Sequence, residues 1–302
     1  MGPTGVGKTE LSLRVAEAFG CPILNADSRQ IYRDLPIGTA APTQEEQARV
    51  KHYFVGTKAL NEDYNAGQYE RDVLQLIAGG ELKSDVAVLS GGSMMYIDAV
   101  CYGLDDIPTV PAEIREQVRR SYDSKGLAWL QQQVQTCDPA YWEVVDQANP
   151  QRLMHALEVT MTAQCPYSSL RSHTAKKRDF AIVKVGLERP RAELYERIDR
   201  RVDAMMEQGL LREAQQAFAQ CQGQVPNSLQ TVGYKELFAY FNGENTLEEA
   251  VNLIKQNSRH YAKRQMTWFR RDNSIRWLDA RLDYETQLHT ITAWLADTGR
   301  VQ

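Results

Sequence analysis

The first nine residues constrain this chain more than any other stretch. Gly2-Pro3-Thr4-Gly5-Val6-Gly7-Lys8-Thr9 fits the phosphate-binding loop pattern G-x-x-x-x-G-K-[ST]. Its glycines let the backbone turn tightly, so that N–H groups point inward at phosphate oxygens. Lys8 adds a point charge to the same oxygens, and the Thr9 hydroxyl is the expected protein ligand of a Mg2+ ion. Residues 10–19 read as an amphipathic helix with Leu11, Val15 and Ala18 on one face. The loop then lies at a helix N-terminus, where the macrodipole favours anions. The plain alternative is a Gly-rich turn before a helix. A phosphate loop normally follows a buried parallel strand, yet only Met1 precedes this one. The expectation is that the first strand is lacking from the numbered chain, or else that the sheet is completed in another way. A lost strand should weaken the fold and loosen the loop.

The rest of the chain reads as an α/β protein with a P-loop NTPase-like parallel sheet core and a mostly helical insertion. Residues 1–110 form the core, with its first strand apparently lacking. Within it, Cys21–Asn25 (CPILN) is the second strand of an α/β unit and sets Asp27 at a strand's carboxyl end, where open α/β sheets bind ligands. Arg29–Pro42 is an irregular loop over the site, 52–57 a possible strand, 66–78 a helix, 85–90 a buried strand and 94–102 a helix whose Met94, Met95 and Tyr96 are read as packing residues. Residues 111–175 are a helical segment leading back to the core, with Asn149 as N-cap and Pro150 at the first helical position of 151–162. Residues 176–190 return to a core strand, 191–255 are a helical insertion broken near Gly209, and 256–302 hold a basic helix, a strand and a closing helix.

Composition narrows the function classes. No run of 18 apolar residues exists, so no helix spans a membrane. The five cysteines are scattered with no C-x-x-C pair, which argues against a zinc site or disulfide framework and for a reduced, cytoplasmic protein. The formal net charge is −4, which does not mark a nucleic-acid binder, but charge distribution matters more than the sum. Residues 255–276 hold seven basic side chains (Lys255, Arg259, Lys263, Arg264, Arg270, Arg271 and Arg276) against Asp272 alone. Such a run is ordinarily a solvated face.

Spacing alone stops at a P-loop group transferase. The motif by itself fits ATP, and Asp27 beside the loop is placed to take a proton from a hydroxyl, as in a small-molecule kinase, or from an amine. Its plain alternative is a loop cap. A motor ATPase or GTPase usually carries a metal-binding Asp after the next core strand. Here Ser90-Gly91-Gly92 stands in that place.

Several blocks in order resemble the tRNA dimethylallyltransferase (tRNA isopentenyltransferase) family, bacterial type. They are the Gly2–Thr9 loop, Asp27-Ser28-Arg29-Gln30-Ile31-Tyr32, Ile37-Gly38-Thr39-Ala40, Gly91-Gly92-Ser93, Asn149-Pro150-Gln151-Arg152-Leu153, Val232-Gly233-Tyr234, and Lys263-Arg264-Gln265 with Thr267-Trp268. The resemblance implies transfer of a dimethylallyl group from dimethylallyl diphosphate to N6 of the adenosine 3′-adjacent to the tRNA anticodon. It implies that Gly2, Pro3, Thr4, Gly5, Val6, Gly7, Lys8 and Thr9 bind the diphosphate leaving group, with Mg2+ on Thr9. It casts Asp27 as base, with Thr4 and Arg152 as further catalytic residues. Contacts to the tRNA anticodon stem-loop fall on Asp27, Ser28, Arg29, Gln30, Ser93, Arg115, Gln151, Arg152, Leu153, Met154, His155, Gln230, Thr231, Val232, Gly233, Tyr234 and Lys235. Under that reading the basic 255–271 stretch is a phosphate-backbone surface, Tyr261, Trp268 and Phe269 are mostly core, and the protein is a monomer. The rivals are an adenylate isopentenyltransferase, a P-loop kinase and a non-catalytic tRNA-binding protein.

Overall fold

The computed structural model describes residues 1–172, 174–221 and 225–297. The expected 111–175, 191–255 and 256–302 segments therefore lie partly outside the described residues. In chain order, α1 (Lys8–Ala18) leaves the phosphate loop and leads to β1 (Ile23–Asn25), α2 (Gln44–Arg49) and β2 (His52–Tyr53). Next come α3 (Ala66–Ala78), β3 (Val88–Ser90) and α4 (Met94–Tyr102). A helical stretch follows, with α5 (Ala112–Cys137), α6 (Pro139–Trp142) and α7 (Pro150–Ala163). The chain then runs through β4 (Val185–Glu188), α8 (Arg191–Glu207), α9 (Leu210–Gln220), α10 (Tyr234–Phe241), α11 (Leu247–Phe269), β5 (Arg276–Asp279) and α12 (Tyr284–Ala296).

Two compact units result. One is Tyr102–Lys177, and the other joins Met1–Cys101 to the described residues from Arg178 onward. The larger unit holds two parallel sheets, one in the order β2-β1-β3 and one pairing β4 with β5. Met1 adds a single parallel rung to β4. Its ammonium donates to the Val185 carbonyl at 2.7 Å, and its own carbonyl accepts from the Leu187 N–H at 2.9 Å. The phosphate loop thus starts from a backbone in strand-like register.

Helix α1 is buried on two sides. Leu11 and Val15 pack with Leu187, Ile198, Leu278 and Ile291, while Leu13 and Ala16 pack with Cys21, Ile23 and Val50. The expected single face through Ala18 is corrected, because Ala18 is exposed. A helix wedged between two apolar layers buries more than one stripe. The strand expected at 85–90 is shorter and only half-buried, since β3 is an edge of its sheet. Met95 is 49% exposed and is no packing residue, whereas Tyr96 is buried and stacks on Tyr69. Helices α3 and α4 begin and end where the sequence pattern sets them.

The smaller unit packs α5 on α7 through Val118, Leu130, Val134, Leu153, Ala156 and Leu157. Gly126 breaks α5 into two helical stretches with φ 74°. Asn149 caps α7, its side chain accepting from the Arg152 N–H at 3.2 Å. Buried Asp138 accepts from the Tyr141 N–H and from both the N–H and hydroxyl of Ser168, tying α6 to the 167–170 turn.

Candidate active site

A cavity of about 1110 Å3 opens where α1 begins and β1 and β3 end, walled on its far side by α8 and α11. Thr4, Gly5, Gly7, Lys8 and Thr9 line it, as do Asp27, Ser28, Arg29 and Gln30. The loop and the Asp27 strand end therefore meet in one space, as the sequence predicts. Gly2 and Pro3 are buried beneath the loop, and Val6 points into the core.

The loop closes on itself. Gly7 sits at φ 116°, a conformation that side chains resist, and turns the chain into α1. Lys8 Nζ donates to the carbonyls of Gly2 at 2.9 Å and Pro3 at 2.8 Å. An ammonium has three N–H donors, so one remains for an anion. Helix α8 grips the loop from outside. Arg197 Nε donates to the Gly5 carbonyl at 2.9 Å, and Arg201 Nη1 reaches Thr4 Oγ1 at 3.4 Å. Burial, then the nearby Arg201 charge, lowers the Lys8 amine to about 7, with Asp27 opposing. Arg201 is likewise pushed below its ordinary value by burial, with Arg197 adding to the effect and Asp27 opposing it. Like charges held this close in a partly dry site are relieved by an anion.

Seven cationic and four acidic side chains line the cavity. Glu10 is already paired with Arg14 and Arg49, and Glu236 accepts from the Gly233 N–H and Asn257. Asp27 makes no ion pair among the described residues. Its Oδ1 accepts from the Arg29 N–H at 2.9 Å and the Gln30 N–H at 3.4 Å. The loop-cap reading is thus true of one carboxylate oxygen, while the side chain still faces the cavity.

The loop that follows Asp27 is held from a distance. Gln30 Nε2 donates to the Thr39 and Ala40 carbonyls, both at 3.0 Å. Buried Glu213 on α9 accepts from the N–H groups of Ile37 and Gly38, both at 2.8 Å, and from the Tyr234 hydroxyl at 2.6 Å. Tyr234 is fully buried, so its side chain serves this clamp and not a surface contact. Its neighbours Gln230, Thr231, Val232, Gly233 and Lys235 line the cavity. Ser93 is buried behind the wall, its Oγ accepting from the Ser28 N–H at 2.8 Å.

The remaining candidates lie on the smaller unit. Arg115 on α5, and Gln151, Arg152 and His155 on α7, are exposed; Met154 is half-buried and Leu153 is core. His155 meets the Tyr167 ring at 5.5 Å between centroids.

Sequence reasoning missed Arg197, Arg200 and Arg201, all lining the cavity. Their i, i+3, i+4 spacing puts them on one helical face, which is the signal that was available. It also missed Tyr261, read as core, which lines the cavity above Gln265, whereas Phe269 is buried and Trp268 donates to Asp98 at 2.8 Å. The basic run is less free than its composition suggests. Lys255, Arg259, Arg270 and Arg276 pair with Asp203, Asp199, Glu188 and Asp297, leaving Lys263, Arg264 and Arg271 with no ion pair among the described residues.

A phosphate loop opening a helix beside parallel strands makes this a P-loop α/β protein. The turn after β3 carries no acid, unlike that of a motor or switch NTPase. At Gly91 a Cβ would lie 2.1 Å from the Ala26 carbonyl oxygen, so that turn has no room for a side chain. Comparison with known proteins narrows the class. A family profile described as IPP transferase matches residues 30–272. The tRNA dimethylallyltransferase 2 of Parabacteroides distasonis is 54% identical over 277 residues, 92% of each chain. The tRNA dimethylallyltransferase 1 of Phocaeicola vulgatus is 52% identical over 293 residues, 96% of this chain and 97% of that one. Among solved structures, the full-length tRNA isopentenylpyrophosphate transferase of Bacillus halodurans superposes with a TM-score of 0.71 at 32% identity, covering 98% of this chain and 94% of that one. The chain belongs to the IPP transferase family.

Proposed function

We propose that this protein transfers the dimethylallyl group of dimethylallyl diphosphate to N6 of the adenosine 3′-adjacent to the tRNA anticodon, releasing diphosphate. The observation that carries the reading is the convergence of Lys8, Arg197 and Arg201 on one loop that faces Asp27 across a single cavity. The relatives' names supply the substrate classes.

The allylic C1–O bond breaks while negative charge grows on the diphosphate. The free Lys8 donor, the loop N–H groups and the α8 arginines stabilise that charge where it develops. Asp27 accepts a hydrogen bond from the N6 amine, orients its lone pair toward C1 and takes the proton as the C–N bond forms. The target base leaves its stack to reach the cavity.

Thr9 lies in the first turn of α1 and lines the cavity, and no group of three or more acidic, His or Cys side chains suited to a metal exists among the described residues. That donor set fits Mg2+ held mainly by diphosphate oxygens and water, with the Thr9 hydroxyl as protein ligand. Bound there, Mg2+ supplies further charge stabilisation for the leaving group. The exposed Arg115 and Arg152 of the smaller unit, and Lys263, Arg264 and Arg271 on and just after α11, are assigned to the tRNA backbone. No helix among the described residues is long and apolar enough to cross a membrane; the reading puts the protein in the cytoplasm, with its tRNA substrate, as a monomer.

The test offers labelled dimethylallyl diphosphate and Mg2+ with unmodified tRNA or free AMP. Label in tRNA alone supports the reading. Label in AMP moves the protein to the free-nucleotide enzymes. Silence with both, alongside phosphoryl transfer from ATP, makes it a kinase.

A further inference from the structure

Gln265 on α11 is almost fully buried and uses both ends of its amide. Oε1 accepts from the Thr4 backbone N–H at 2.8 Å, and Nε2 donates to the Gly92 carbonyl at 2.8 Å. One side chain therefore bridges the phosphate loop and the turn after β3. Gly92 is fitted to it, since a Cβ there would lie 2.4 Å from Nε2.

The path continues beyond Gly92. Ser93 N–H donates to the Ala26 carbonyl at 3.1 Å, and Ser93 Oγ accepts from the Ser28 N–H at 2.8 Å and donates to Ser28 Oγ at 3.1 Å. Ala26 and Ser28 flank Asp27. Hydrogen bonds thus run from Thr4 through Gln265 and the Gly92-Ser93 turn to the two neighbours of the base.

We propose that Gln265 is a positioning residue for the transfer, fixing the phosphate loop against the Asp27 strand end. The inference rests on the transfer reading above. Its physical basis is the geometry of displacement, in which the attacking nitrogen and the allylic carbon must be held at near-attack distance. A misplacement of about 1 Å costs about 10²-fold in rate. The loop sets where the leaving group sits, the strand end sets where the acceptor sits, and Gln265 sets the gap. A neutral amide suits the position, because it needs one acceptor and one donor and must add no charge beside a diphosphate. Glutamate lacks the donor, lysine lacks the acceptor, and asparagine is one methylene shorter.

Gln265→Leu and Gly92→Ala disturb the bridge from opposite ends, and Gln265→Glu keeps the acceptor for Thr4 while removing the donor. The expected result for each is a single-turnover transfer rate, at saturating dimethylallyl diphosphate and tRNA, lowered about 10- to 100-fold. Dissociation constants for inorganic diphosphate and for tRNA should stay within about threefold, because positioning acts on the reacting geometry more than on ground-state binding. Amide hydrogen exchange gives a readout that needs no activity. In Gln265→Leu, protection should fall at Thr4 and also at Ser28, which Gln265 does not touch. Parent-like transfer by folded Gln265→Leu overturns the proposal, as does a deficit lying wholly in diphosphate affinity, or Ser28 protection that does not change. If Gln265→Leu fails to fold, Gly92→Ala decides, and parent-like rates there overturn it equally. A parent protein that gives no label in tRNA sinks the transfer reading instead, and exchange at Ser28 still judges the bridge.

Discussion

The two walls of the cavity are held in opposite ways. The phosphate loop is closed mostly by itself, with glycine dihedrals shaping it and Lys8 bonding carbonyls only five and six residues back. The loop from Asp27 to Ala41 depends on distant partners. Glu213 holds Ile37 and Gly38 across more than 170 residues, and Arg29 Nη1 donates to the Asn227 carbonyl at 2.7 Å. The leaving-group loop is thus folded locally and only then braced from outside by Arg197, Arg201 and Gln265, whereas the path of the acceptor loop is itself set by distant partners. The turn that must take the same diphosphate each time can be shaped by nine residues, with the α8 arginines adding charge to it. A wall that must receive a base from a large partner is shaped by several elements at once.

Mutations at each wall can break this contrast. The largest effect is expected from Lys8→Ala, which should slow transfer by about 10³-fold, the upper scale for losing a preorganised donor at developing charge. tRNA affinity, measured by filter binding, should hardly change. Asp27→Ala should slow transfer by about 10²-fold or more with near-normal tRNA binding, the scale for a general base. Normal single-turnover rates in that variant would remove Asp27 from the mechanism.

Glu213→Ala should act on the acceptor wall alone. The buried Tyr234 hydroxyl loses its acceptor at a cost of about 1–3 kcal/mol in local stability, and the part-buried Ile37 and Gly38 N–H groups add less. We expect KM for tRNA to rise about tenfold while diphosphate affinity stays at the parent value, given the loss of that local stability in a binding wall. Equal losses for both substrates would show that the walls are not independently held.

The smallest effect is a protonic one. Without a bound anion, burial and next the nearby Arg201 charge lower the Lys8 amine to about 7. A bound anion favours the charged form, so diphosphate binding above that pH should take up protons and weaken as pH rises. Calorimetry in buffers of different ionisation enthalpy should detect the uptake, and Lys8→Met should abolish it.

Particular residues show what the sequence made legible. Helix α3 was readable because its apolar spacing and its cap agree, with the Asn65 side chain accepting from the Gln68 N–H at 2.9 Å. Strands read too long, because an apolar run does not reveal how many residues find a partner; within the expected 176–190 strand segment only Val185–Glu188 pair. Helix α2 goes unassigned from the sequence although Thr43 and Glu46 form a capping box, a signal present in the letters. Tyr234 was read as a surface contact because a motif reports position, not the direction of a ring. Its hydroxyl is buried on Glu213, which no local pattern foretells.

The sequence by itself determined the phosphate loop, the helix that follows it and the carboxylate at the next strand end, because each depends on neighbours within a few residues. Only the tertiary structure decided which of the many charges serve the cavity. On α8 and α11, Arg197, Arg201 and Arg264 face it, whereas Lys255 and Arg259 of α11, and Arg270 just after it, are taken up by carboxylates of α8 and β4. Charge in a sequence is only a count. Its role depends on which opposite charge lies within about 4 Å, and that distance is set by packing between elements far apart in the chain.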